Sequence, residues 1–348
     1  MTSMKDVSRH AGVSIATVSN VITGKRVVSN NVKRQVLNSI EALDYQVNLV
    51  ARGLKMQRTN TLGLVLPDAT KLFFQRVISG ILDVAFANGY YVNVLNSAYN
   101  FHTEQLLIDT LKGSRVDGII LDSCVDMKES ARWAAILSGE DKPMPPVISL
   151  ENMLDPARIC SVTVDNAYYS GLITQHLIDC GRRHILYIAG PLYLEHEHAH
   201  FDGYRACLHK NGLDVQPELV KSGPYLSESG YIAVGETLDA GLPFDAVQAS
   251  SDQAAIGATK LLKERGFRIP EDVAVCGFDN LFPSTLVSPA ITTVSVPNYE
   301  MGAVAVRELI RQIEEKSAQP VITRLDAHMV LRASSCPSAQ SAWDLSSW

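Results

Sequence analysis

The sequence predicts an α/β protein in two parts: an N-terminal helix-turn-helix head and a two-lobed body built on parallel sheets. Three observations predict it. Three short helical patterns, separated by cap and turn residues, occupy the start of the chain. Positive charge is concentrated in that same stretch. From Thr61 onward, short apolar runs alternate with longer amphipathic ones in two successive series.

In the head, Ser3 followed by Asp6 is a capping-box pattern that opens a helix from Met4 to Ala11. Gly12-Val13 breaks it. Ser14 caps a second helix, Ile15 to Ile22, which Thr23-Gly24 ends. Ser29 opens a third, from about Asn30 to Leu43, with Val32, Val36, Leu37, Ile40 and Leu43 as its apolar stripe. Two short helices around a tight glycine turn, with a third to bury them, make a helix-turn-helix whose second helix suits the DNA major groove. Residues 1–58 carry nine basic side chains against three acidic ones, a balance of +6. The rest of the chain then holds 22 basic and 34 acidic residues, a balance of −12. A basic head on an acidic body points to a polyanionic partner, and nucleic acid fits best.

In the body, "TLGLVLPD", "YYVNVLNSA", "VDGIILDS", "PPVISLE" and "SVTVDN" read as buried strands, with helical stretches such as Phe73–Asn88 and Glu104–Lys112 between them. A second series, "HILYIAG", "AVQASSD" and "DVAVCGFDN", is separated by helical patterns at Glu228–Leu238 and Asp252–Arg265. Strand–helix alternation gives parallel sheets covered on both faces, and two series imply two lobes with a cleft between them. Ligands of such sheets bind beyond the carboxyl ends of the strands. Phe73 and Phe74 follow the first strand and can stack on a ring.

The length of 348 residues exceeds one typical core. The composition, 46% hydrophobic and 20% charged, is that of an ordinary soluble protein. No apolar run reaches the ~18 residues of a membrane span. The polar start of the chain lacks the marks of a secretory signal, so the expected location is cytoplasmic. Six scattered cysteines fit reduced thiols better than a disulfide framework. No phosphate-cradling glycine loop or nucleophile–base pair calls for a cofactor or an enzymatic role.

The stretch "MKDVSRHAGVSIATVSNVITG", and "VSIATVS" within it above all, resembles the lactose-repressor family of bacterial transcription regulators. The likeness continues through "ALDYQVNLVARGLK" and, more loosely, to about residue 334. It implies a periplasmic-binding-protein-like effector domain, whose chain crosses between the lobes near Val162, Ile291 and Arg324, and a homodimer on a palindromic operator. The implied domains are a head, 1–47; a hinge helix and linker, 48–59; an N-lobe, 60–162 with 292–323; a C-lobe, 163–291 with 324–336; and a tail, 337–348. By resemblance, Ile15, Ala16 and Asn20 read bases, while Thr17 and Ser19 contact the backbone. Ser14, Asn48 and Lys55 complete the set, and Leu54 is the matching hinge leucine that wedges into the minor groove. Asn20 stands where the family often has Arg, Val47 where it has Pro, and Gly53 where a better helix former is usual. Tyr225, Ser251 and Asp279 match effector-pocket positions, although Asn is commoner where Ser251 stands.

One motif competes with this reading. "HEHAHFDG" contains His196-Glu197-x-x-His200 followed by Gly203, most of a zinc-protease signature. The third histidine of the extended motif is replaced by Ala206, which leaves two close histidines without the usual third ligand. The family resemblance instead makes "FDGYRACL" the start of a helix and puts His200 where an arginine usually contacts ligand oxygens. His196 and His198 are then expected as polar loop residues. Arg forks onto carboxylate or phosphate, whereas neutral His offers one donor and one acceptor. The expected effector is therefore a small neutral molecule such as a sugar or polyol, and no metal is expected. The alternatives are a solute-binding protein of the transport kind and a zinc-dependent hydrolase. The sequence leaves open the effector's identity, the direction of its effect, and a protein co-regulator docking on the lobes.

Overall fold

The computed structural model describes residues 2–23, 26–45, 58–140, 142–315 and 319–339. It separates into two compact units, Met1–Thr59 and Asn60–Trp348. Asn48, Leu54 and Lys55, together with Val47 and Gly53, lie outside the described residues.

The first unit is three helices: α1 (Met4–His10), α2 (Ile15–Thr23) and α3 (Asn30–Ala42). The capping box forms: the Ser3 hydroxyl receives the Asp6 amide at 3.3 Å, and the Asp6 carboxylate receives the Ser3 amide at 3.0 Å. Val7, Ala11, Val18, Val36 and Tyr45 form the buried core, and Val32, Ile40 and Leu43 pack against it. Leu37, expected on the buried stripe, is instead 48% exposed. It directly follows the fully buried Val36 and so turns about 100° away from it around the helix.

The second unit holds two parallel sheets. One contains β1 (Thr61–Leu66), β2 (Tyr91–Asn96), β3 (Gly118–Leu121), β4 (Val147–Leu150), β5 (Cys160–Val164) and β11 (Ile322–Leu325), in the order β11-β5-β4-β3-β1-β2. The other contains β6 (Ile185–Ala189), β7 (Val220–Ser222), β8 (Ala246–Ala249) and β9 (Ala274–Cys276), in the order β7-β6-β8-β9. Every pair within both sheets is parallel. Strands β1, β3, β4 and β5 are near-continuous apolar runs because helices cover both faces. β2, expected as a buried strand, is largely exposed. It is the edge strand, paired only with β1.

The chain leaves the first sheet after Val164 and enters the second lobe through α7 (Asn166–Asp179). It returns through β10 (Thr293–Ser295), which pairs antiparallel with β12 (His328–Val330). Helix α12 (Asn298–Glu314) then packs on α4 (Leu72–Ala87) in the first lobe. The serine-rich end is anchored as far as Ser335: Ser334 donates to the Val275 carbonyl at 2.6 Å, and its side chain is buried. No helix among the described residues is long and apolar enough to cross a membrane.

Candidate functional site

On α2, Val18 is fully buried, while Ser14, Ile15 and Ala16 are exposed and Thr17, Ser19 and Asn20 half-buried. The Ser14 hydroxyl accepts the Thr17 amide at 3.0 Å and lies 2.9 Å from its hydroxyl, so Ser14 caps the helix. One face of α2 is thus anchored, and its N-terminal turn faces outward with an apolar residue at its tip.

In the second unit, the carboxyl ends of the strands open onto one cavity of about 640 Å³, open solvent at its mouth included. The cavity brings together all six sequence-nominated positions: Phe73, Phe74, His200, Tyr225, Ser251 and Asp279. Phe73 and Phe74 stand in the first turn of α4 and meet edge to face, with ring centres 5.2 Å apart. Ser251 caps α10 (Asp252–Glu264) by accepting the Ala254 amide at 3.3 Å. Asp279 is held at φ +102°, a conformation that costs a non-glycine residue and is retained only where the surroundings impose it. Here its amide donates to the Val294 carbonyl at 3.0 Å, which ties the loop to β10.

Other lining residues escaped the sequence reading: Tyr99, Asp122, Glu151, His196 and Glu197 among them. Asp122 directly follows β3 and Glu151 directly follows β4, so the rule of binding at strand carboxyl ends could have found both. Burial pushes the Glu151 carboxyl up to about 8 and the Glu197 carboxyl up to about 7. The Gly190 amide and the Ser250 and Tyr225 hydroxyls temper the rise at Glu197. Asp122 and Asp279 are raised well above the usual carboxylate range, first by burial and then by neighbouring acids. Burial drives the histidines the other way, to about 4 for His196 and about 3 for His200, so both rings are neutral. His200 is wedged edge-on against Phe278, with ring centres 4.3 Å apart.

Helix α8 (Glu195–Lys210) begins earlier than expected, so His196 and His198 are helical rather than loop residues. The early start follows from what the first turn can reach. The Glu195 carboxylate accepts the Met153 amide at 3.1 Å, and Asn152 Oδ1 accepts the His196 amide at 3.2 Å. His198 turns outward to Asp202, 3.7 Å away. His196 turns inward. Its Nδ1 lies 2.9 Å from Asn152 Oδ1 and its Nε2 lies 2.9 Å from the Tyr225 hydroxyl, itself 3.0 Å from Glu197 Oε2.

The proton positions in this chain follow from its two ends. Asn152 Nδ2 donates to the Ser123 carbonyl at 2.8 Å, which fixes Oδ1 as an acceptor. His196 Nδ1 therefore carries the proton, which leaves Nε2 and Glu197 Oε2 as the two acceptors facing the single Tyr225 hydroxyl proton; the hydroxyl donates to Glu197 at 3.0 Å, the bond that tempers the rise there.

His196 and His200 do lie one turn apart, the first half of a zinc site, yet both ring nitrogens of His196 already face Asn152 and Tyr225. Among the described residues, no three His, Cys, Asp or Glu side chains are grouped to hold a metal ion. Gly203 has a packing role: a Cβ there would lie 2.0 Å from the Ala167 carbonyl oxygen, at the close approach of α7 and α8.

Residues 3–48 match the model for bacterial regulatory proteins of the lacI family. Residues 59–331 match that for periplasmic binding proteins and the sugar binding domain of the LacI family. Catabolite control protein A of Priestia megaterium is 34% identical, over 94% of this chain and 98% of that protein. A transcriptional regulator CelR–cellobiose complex is 28% identical with TM-score 0.72, covering 96% of this chain and 100% of that one. The lac repressor dimer bound to operator and the anti-inducer ONPF shares the fold at TM-score 0.86, with 23% identity over 96% of this chain and 99% of that one. With both models matched across most of its length, the chain belongs to the LacI family of bacterial regulatory proteins.

Proposed function

We propose that this protein is a repressor-type regulator that binds a palindromic operator as a homodimer and changes its hold on DNA when a small, hydroxyl-bearing, phosphate-free molecule enters the cavity. The observation that carries this reading is the pairing, in one chain, of an outward-facing α2 turn with a cavity whose walls offer hydroxyl-binding acceptors. Relatives named as the ribose operon repressor and the cellobiose complex of CelR support a sugar-like ligand. The lining argues against phosphate, because it offers four acid groups and, among the described residues, no lysine or arginine to take a phosphate's charge.

In this reading, closure of the lobes on ligand shifts the population of head arrangements able to span two half-sites. Ile15, Ala16 and Asn20 read base edges, while Thr17 and Ser19 contact phosphates. Leu54, in the hinge, opens the minor groove. The test is selection of bound sites from random duplex DNA, followed by anisotropy titration of the selected site. A palindrome should emerge, affinity should fall steeply with salt, and Asn20→Ala should relax one position in each half-site at a cost of about 1–3 kcal/mol. Recovery of no palindromic site would sink the reading.

A further inference from the structure

The cavity wall carries four carboxylates, Asp122, Glu151, Glu197 and Asp279, and among the described residues that line it none is lysine or arginine. Lys71, at the start of α4, is turned away from this duty. Its Nζ donates to the Tyr225 carbonyl at 3.1 Å and lies 4.0 Å from Asp68. Both lining histidines are neutral, and neither supplies a counter-charge.

Glu151 is the informative member. It is only 9% exposed, and its Oε1 has no hydrogen-bond partner among the described residues. Its backbone is nonetheless pinned at φ +56°. The amide donates to the Val162 carbonyl at 3.1 Å, and the carbonyl accepts the Thr163 hydroxyl at 2.9 Å. A buried, unpaired carboxyl weakens a fold, so its own environment gives no reason to hold it there. Asp279, also on the wall, is likewise held by its backbone in a strained conformation.

We infer that the ligand filling this cavity carries a protonated amine beside its hydroxyls, as an amino sugar or amino polyol does, with Glu151 and Asp279 as its counter-charges. The inference rests on the sensor reading above and replaces the neutral molecule expected from His200 alone. A neutral polyol could donate to these acids, yet it would leave them in the protonated state that burial imposes, with nothing to ionise them. An ammonium group brings three donors and the missing positive charge together. A bare metal ion fits less well, since the acids are not grouped to coordinate one.

The test is calorimetric titration of the full chain at pH 7.5 with matched probes. Glucosamine, galactosamine and mannosamine are each compared with the parent hexose and the N-acetyl derivative, and 1-amino-1-deoxysorbitol is compared with sorbitol. At least one amine should bind about tenfold tighter than its neutral partner or better, and N-acetylation should erase that gain. Glu151→Gln should remove most of the preference without lowering the melting temperature, and Asp279→Asn should weaken it independently. Equal or tighter binding by the neutral partners overturns the inference and leaves the sensor reading standing. An undiminished amine preference in Glu151→Gln also overturns it. Silence from every probe overturns the sugar-like sensor reading and the inference together.

Discussion

Asn152 Oδ1 accepts the backbone amide of His196 at 3.2 Å and stands 2.9 Å from the same residue's Nδ1. One amide oxygen therefore clasps the first turn of α8, on the second lobe, to the loop that follows β4 on the first. Replacing Asn152 with Ala leaves the His196 amide and ring proton without their acceptor. The expected loss is about 1–3 kcal/mol of stability, with weaker ligand binding because the closed arrangement is less favoured. Chemical denaturation and calorimetry check this, and unchanged values for both would show the clasp to be inert.

Stability should fall as pH rises from about 6.5 to 8. Glu151, at about 8, and Glu197 and Asp252, at about 7, bind protons more tightly folded than unfolded. The folded state then holds more protons in this window, so raising pH favours unfolding. His196 and His200 act in the opposite sense, but only below their unfolded value near 6.5. The Glu151 contribution should be roughly 1–2 kcal/mol across the window. Melting curves of the ligand-free chain and of Glu151→Gln at stepped pH measure it. Parallel slopes for the two proteins would refute the assignment.

Gly203→Ala should destabilise the second unit by about 1–3 kcal/mol or somewhat more, the usual cost of one methyl group too many. The added Cβ would meet the Ala167 carbonyl oxygen at 2.0 Å, and backbone on both sides leaves little room to relax. The head should keep its operator preference. Thermal melting and operator titration separate the two effects, and a neutral substitution would show that α7 and α8 can slide apart.

Much of this protein was legible in one dimension. The capping box at Ser3, the helix spacing of the head and the strand–helix alternation are local properties, set by neighbours a few residues away. The six nominated cavity positions were reachable because binding at strand carboxyl ends is also a local rule once the strands are known. Misreadings came where a residue's fate depends on distant partners. Leu37 is exposed although it lies beside the buried Val36, and β2 is exposed because it pairs on one side only. His196 was expected in a loop because its helix starts on contacts to Asn152, 44 residues earlier.

Four carboxylates and two neutral histidines around one space are likewise invisible in sequence, because Asp122, Glu151, Glu197 and Asp279 come from four strand ends and helix starts in two lobes. Their charge states are set by burial and by one another, and both arise only when the lobes face each other. Periodicity and caps, both local, specify the architecture and where the cavity opens. What that cavity can hold follows from the packed lobes alone, because desolvation and charge act through space rather than along the chain.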